Sequence, residues 1–187
     1  MKRLVIITVG KTHSGKTTFA HALEQELDNS LVVDQDNHAE FINSYYKSLQ
    51  PKNGPNTLKH AISRLIVNYA IEKTDYHLIV CNSNRNRKGR VDLLEQFFPE
   101  SDFFRILVHF DIPDDILQAR VAETERSTSV FRSAESFEEV LTRQKADSLI
   151  DDVTDPVEGE ADRLFVIKDN KEVDTVIQRI IHISQCL

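Results

Sequence analysis

An α/β fold, with about five parallel strands and helices on both faces, is the architecture this sequence predicts. Two observations carry the prediction. Short runs rich in Val, Ile and Phe alternate with segments of helical periodicity along the chain, and strand–helix alternation builds parallel sheets. The first run, at 4–9, is apolar at consecutive positions, as in a strand buried on both faces. At 187 residues the chain suits one domain with its own core and is short for two, so 1–187 is read as a single domain.

After the strand at 4–9, a helix at 16–27 carries Phe19, Ala20, Leu23 and Leu27 on one stripe. A strand at 31–33 leads into a helix at 37–49. Pro51, Gly54 and Pro55 make 50–56 a loop. A helix at 58–73 places Ile62, Leu65, Ile66 and Tyr69 on its apolar face. The third strand is 77–81, followed by a helix at 91–98 that Pro99 stops. The fourth strand is 103–110, and Pro113 then sits where a first-turn proline is tolerated. Helices at 116–125 and 137–150, a strand at 164–167 and a helix at 173–184 complete the chain. Ligands of such sheets bind at the carboxyl ends of the strands, so function is expected just after each strand.

Composition excludes several classes. Cys81 and Cys186 form no disulfide framework and, like the scattered histidines, show no metal-ligand spacing. Both are read as reduced, partly buried thiols. The apolar run at 4–9 is too short for a signal core or a membrane span, so a cytoplasmic location is expected. Asp and Glu number 30 against 23 Lys and Arg, a net charge of -7. Seven of the acids lie in 147–162, which has no Lys or Arg; elsewhere acids and bases balance. Extended binding along nucleic acid is not expected from such a chain.

The strongest motif follows the first strand. Gly10-Lys11-Thr12-His13-Ser14-Gly15-Lys16-Thr17 fits G-x-x-x-x-G-K-S/T, the phosphate-binding loop, and places the expected fold among the P-loop NTPases. Its glycines permit turns that aim successive N–H groups at a phosphate, and the following helix adds its positive end, so Thr18 joins the nucleotide-binding set. Lys16 supplies a charge for the β- and γ-phosphates. The Thr17 hydroxyl suits Mg²⁺, a hard cation. ATP and Mg²⁺ are thus the expected cofactors. His13 is read as an incidental exposed side chain within the loop. After the second strand, Asp34 and Asp36 offer carboxylates for an acceptor hydroxyl, although one of them could instead cap the next helix.

These segments resemble the 5′-kinase domain of polynucleotide kinases and the zeta-toxin kinases. Ser83-Asn84-Arg85-Asn86 through Arg90 is similar to T-N-x-N-x-x-R-R of the phage-type enzyme, and Phe110-Asp111-Ile112-Pro113 to its F-D-V-P. The resemblance implies that Asp36 is the catalytic aspartate, with Asp34 in a metal-water or supporting role. Asn84, Arg85, Arg87 and Arg90 are the expected acceptor or phosphate clamp, since Arg forks suit phosphate oxygens.

A helical lid is expected at about 116–136, where Arg120, Arg126 and Arg132 recur at intervals of six, delivering Arg126, with Arg120 beside it, to the phosphate in transfer; Arg120 could instead pair with Glu123. Arg143 and Lys145 are read as surface charges, although Arg143 could face the lid. The exit of the fifth strand, at 168–170, is where adenine contacts are expected. Cys81-Asn82 stands where a water-activating ATPase would carry a Walker B acid, which favours transfer to an acceptor over hydrolysis. The sequence thus predicts a kinase moving the γ-phosphate of ATP to a hydroxyl or phosphate acceptor, either a nucleic-acid 5′-end or a small molecule. A toxin-like sugar-nucleotide kinase and a slowly hydrolysing nucleotide switch are the alternatives.

Overall fold

The computed structural model describes residues 2–187. Five strands form one parallel sheet in the order β2-β3-β1-β4-β5. They are β1 (Arg3–Gly10), β2 (Ser30–Asp34), β3 (His77–Cys81), β4 (Phe103–Phe110) and β5 (Arg163–Ile167). The helices are α1 (Lys16–Glu26), α2 (Gln35–Tyr45), α3 (Thr57–Lys73), α4 (Arg87–Phe97), α5 (Asp114–Ala122), α6 (Phe137–Asp147) and α7 (Val173–Gln185). Among the described residues, no helix is long and apolar enough to cross a membrane.

The consecutive apolar residues of β1 have the expected cause. Successive side chains point to opposite faces, and both faces are covered. Leu4 and Ile6 join a core with Phe19, Leu23, Leu117 and Ile177, under α1, α5 and α7. Val5, Ile7 and Val9 join a second core with Val67, Leu94 and Phe98, under α3 and α4. The order reverses at β1, so its carboxyl end opens onto the crevice where such sheets bind ligands.

Four expectations about helices change, one of them the helical lid: its helix, α5, ends at Ala122, and beyond it only a 3-10 turn at Thr128–Val130 precedes α6. The α3 face is rotated: Ser63, Val67 and Ala70 are buried, whereas Leu65 and Tyr69 are exposed. The predicted stripe is a valid helical stripe, but it is not the one the sheet covers. α2 starts at Gln35 because Asp34 caps it, accepting a bond from the Asp36 N–H at 2.8 Å. It ends at Tyr45, and a 3-10 turn covers Lys47–Leu49. α4 starts at Arg87, four residues early, because Asn86 accepts from the Gly89 N–H at 2.7 Å and caps it.

Candidate active site

The phosphate loop connects β1 to α1 by a backbone path that requires its two glycines. Gly10 has φ 154°, and a β-carbon there would meet the Ser14 hydroxyl and Phe110 at 3.0–3.1 Å. Gly15, at φ 100°, caps α1 in a left-handed conformation that side chains disfavour. Inside the curl, the Lys16 ammonium donates to the Lys11 carbonyl at 2.5 Å and to the Ser14 hydroxyl at 3.1 Å. Burial lowers its pKa to about 8, with Arg126 adding to the shift against Cys81, Asp36 and Asp34.

Thr17, one residue on, points toward the second strand. Its hydroxyl donates to Asp34 Oδ2 at 3.3 Å and lies 3.7 Å from Cys81 Sγ. Asp34 and Cys81 are register partners across β2 and β3. Burial, with Asp34 nearby, pushes the Cys81 thiol up to about 11, so it stays protonated at neutral pH. The buried carboxylate beside the loop threonine therefore sits one strand away from the usual Walker B place, on β2. Asp34 also carries the capping role, which leaves the half-exposed Asp36 carboxylate to face Arg126 at 3.4 Å.

The loop, both aspartates and the segment after α5 line one cavity of about 880 Å³. Arg120 reaches into it without pairing with Glu123; it donates to the His13 carbonyl and to Asn170 Oδ1, each at 3.0 Å. Arg126 lies over the Phe137 ring, 5.2 Å from its centroid. Residues 123–131 run from α5 to the far wall. There Asn43 donates to the carbonyls of Ser129 and Phe131, and Ser129 donates to Glu40.

His13 proves to be no incidental side chain. Its Nε2 lies 2.9 Å from the Thr124 hydroxyl and its Nδ1 lies 3.0 Å from that of Thr12, while its ring packs edge-on against Phe137. Burial and the charges of Arg126, Lys16 and Arg120 hold it near pKa 4, hence neutral. It joins the phosphate loop to the roof of the cavity.

The basic segment after β3 does not join this cavity. Arg90 is buried and its guanidinium is consumed inside the protein. It pairs with Glu160 at 3.0 Å and donates to the carbonyls of Asn84, Arg85 and Thr154. Arg87 is exposed and faces Glu160 at 3.7 Å. Arg85 donates to the Gln144 carbonyl at 2.7 Å and to Ser148. Asn84 donates to the Thr8 carbonyl at 2.9 Å and lines a separate cavity of about 400 Å³ between α3 and α4. The acidic stretch explains part of the difference: 152–160 docks against the entry to α4, where Glu160 takes up Arg87 and Arg90. Of the two cysteines, Cys81 is buried and Cys186 exposed.

Three further cations line the cavity wall: Lys59, which sequence reasoning missed, Arg132 of the expected lid, and Arg143. Lys59 stands in the first turn of α3, far from any motif. Arg132 donates to the carbonyls of Pro51 and Gly54 (3.1 and 2.6 Å). Arg143 lies on α6, exposed at the edge of the cavity that it helps to line.

A family model described as an AAA domain matches residues 5–147. Among solved structures, a sugar kinase from a Janibacter species is 19% identical, covering 97% of this chain and 94% of that one with a TM-score of 0.61. APS kinase of Mycobacterium tuberculosis, solved with AMPPNP and APS, is 17% identical over 98% of both chains, with a TM-score of 0.58. A chain of the Pnkp1/Rnl/Hen1 complex is 19% identical over 73% of this chain and 44% of that one, with a TM-score of 0.52. No curated protein matches the sequence. The common element of these likenesses is the P-loop kinase fold; they do not single out the polynucleotide-kinase or zeta-toxin branch.

Proposed function

The chain belongs to the AAA domain family, and we propose that it is an ATP-dependent phosphotransferase moving the γ-phosphate of ATP to a hydroxyl or phosphate acceptor. The observation that carries this reading is a single one. The phosphate loop, the half-exposed Asp36 and two arginines from a different segment converge on one cavity. Phosphoryl transfer asks the protein mainly for positioning and charge stabilisation, and these groups supply both.

In this reading, Lys16 and the loop N–H groups hold the triphosphate, through Gly10, Lys11, Thr12, His13, Ser14, Gly15, Thr17 and Thr18. The two oxygens that Lys16 now holds are ones a phosphate oxygen can replace. The Thr17 hydroxyl beside the Asp34 carboxylate is an all-oxygen donor set, which fits Mg²⁺. When bound, Mg²⁺ supplies Lewis-acid neutralisation of phosphate charge. Asp36 orients the acceptor hydroxyl and takes its proton. Arg126, beside Asp36, and Arg120, held on the loop, stabilise the charge in transfer. The segment at 116–136 acts as the lid over the reacting groups.

The acceptor is a small molecule or a nucleic-acid 5′-end. The small-molecule side draws support from the fold's likeness to a sugar kinase and APS kinase. The 5′-end follows from the polynucleotide-kinase resemblance, weakened now that Arg85, Arg87 and Arg90 lie outside the cavity. The test is transfer of labelled γ-phosphate to a panel of sugars, nucleosides, nucleotides and oligonucleotides. Asp36→Asn should slow transfer about 10²–10⁴-fold, the range of a lost general base, while ATP affinity holds. Steady hydrolysis with no acceptor labelled would replace this reading with that of a nucleotide switch.

A further inference from the structure

The cavity holds more positive charge than the nucleotide needs, and the surplus lies on one side. Six cations line it (Lys16, Lys59, Arg120, Arg126, Arg132 and Arg143) against three acids, Asp34, Asp36 and Asp174. The chain as a whole has net charge -7, so this concentration opposes the overall balance. Lys16, Arg120 and Arg126 cluster at the phosphate loop, where all three act on His13. Lys59 belongs elsewhere: the charges that act on it are Asp36, Asp34 and Arg132. It stands in the first turn of α3 near the two aspartates, with Arg132 as its neighbour.

Among the described residues, neither Lys59 nor Arg132 has a carboxylate partner. The nearest candidate, Asp36, is paired with Arg126. Arg132 is held by the carbonyls of Pro51 and Gly54, which fix its position and leave its charge uncancelled. Among the described residues the Lys59 ammonium makes no hydrogen bond; the side chain is half-buried in the cavity wall, and this burial lowers its pKa. The first turn of α3 also holds no acidic residue, so the positive end of a 17-residue helix adds to the same field. An uncharged polyol would leave this wall uncompensated; an oxyanion would complete it.

We propose that Lys59 and Arg132 form an oxyanion subsite, so that the acceptor is a hydroxyl compound that already carries a phosphate or carboxylate group. The proposal rests on the phosphotransferase reading above and specifies its substrate class. The anionic group anchors on Lys59 and Arg132, and the hydroxyl is thereby presented to Asp36. Neutral sugars and unphosphorylated nucleosides are poor acceptors for the same reason.

The test separates the two readings. The full chain is first saturated with AMPPNP and Mg²⁺, which fills the γ-phosphate position, and AMPPNP affinity is recorded. Inorganic phosphate and, in a parallel arm, acetate are then titrated while the backbone amide signals of residues 57–60 are followed by NMR. Saturable shifts are expected from at least one anion, and the arm that responds distinguishes phosphate from carboxylate. Lys59→Gln should weaken that anion about tenfold or more, the scale of one charge-assisted contact. It should leave AMPPNP affinity unchanged, which also shows that the variant folds. Lys59→Arg should restore most of the binding.

Absence of shifts from either anion overturns the subsite, as does binding that Lys59→Gln leaves intact. Failure of the wild-type chain to bind AMPPNP instead defeats the phosphotransferase reading, and the subsite falls with it.

Discussion

Lys16 shows how much one residue's setting can decide. Its ammonium is curled into the phosphate loop, and its pKa falls from the usual lysine value to about 8, first because of burial. A nucleotide phosphate restores the preference for the charged form. Below about pH 8 the free and bound chains both carry the proton, so affinity for ATP should be flat with pH from this group. Above pH 8 the free chain has lost a proton that the complex retains, and binding must take one up. Affinity should then fall by up to about tenfold per pH unit until the lysine of the complex itself titrates. Titration of a fluorescent ATP analogue between pH 6.5 and 10 checks this. A flat profile to pH 10 would mean that the loop lysine keeps an ordinary pKa in the free chain.

Arg90 carries the corresponding lesson for an element. It ties the first turns of α4 to residues 154–160 through Glu160 and the Thr154 carbonyl, inside the protein. Removing one partner of a buried, hydrogen-bonded pair leaves the other charge stranded. Arg90→Met should therefore cost about 3–5 kcal/mol of stability, read from urea unfolding, with ATP affinity of the folded fraction kept. An acceptor clamp would show the reverse pattern, lost transfer at unchanged stability. The cluster Arg85–Arg90 was legible in the sequence as a run of charge, but its partners were not. A run of bases after a strand looks the same whether it meets a substrate or an acidic segment seventy residues on. The α3 face failed for a related reason. Periodicity establishes that a helix forms; which of two adjacent stripes the sheet covers depends on how the helix is docked. Boundaries marked by Gly10, Gly15 and Pro99 are legible because these residues act locally, whereas the starts set by the caps Asp34 and Asn86 differ from expectation.

Across the whole molecule, the five-strand sheet and the phosphate loop could be read in advance because consecutive residues build them. The full cavity wall could not, because Lys59 belongs to no motif and meets Arg132 and Arg143 only when α3, the 123–136 segment and α6 close over the sheet. The same assembly sorts the charge. The acids of 147–162 are spent in part on Arg90 and Arg105, whereas the cavity retains six cations against three acids. This makes the ionic-strength dependence of ATP capture a test of which charge the nucleotide meets. A particle of uniform charge -7 repels an anion, so added salt would screen that repulsion and speed association. A cation-rich cleft within low-dielectric walls attracts the same anion, so added salt would slow it. At about 0.1 M salt the screening length is roughly 10 Å, shorter than the molecule, and the local field should win. The association rate of a fluorescent ATP analogue, measured by stopped flow, should fall several-fold between about 0.02 and 0.3 M NaCl. A rise over that range would mean that the acidic surface reaches the mouth of the site, and that the sorting of charge ends at the cavity wall.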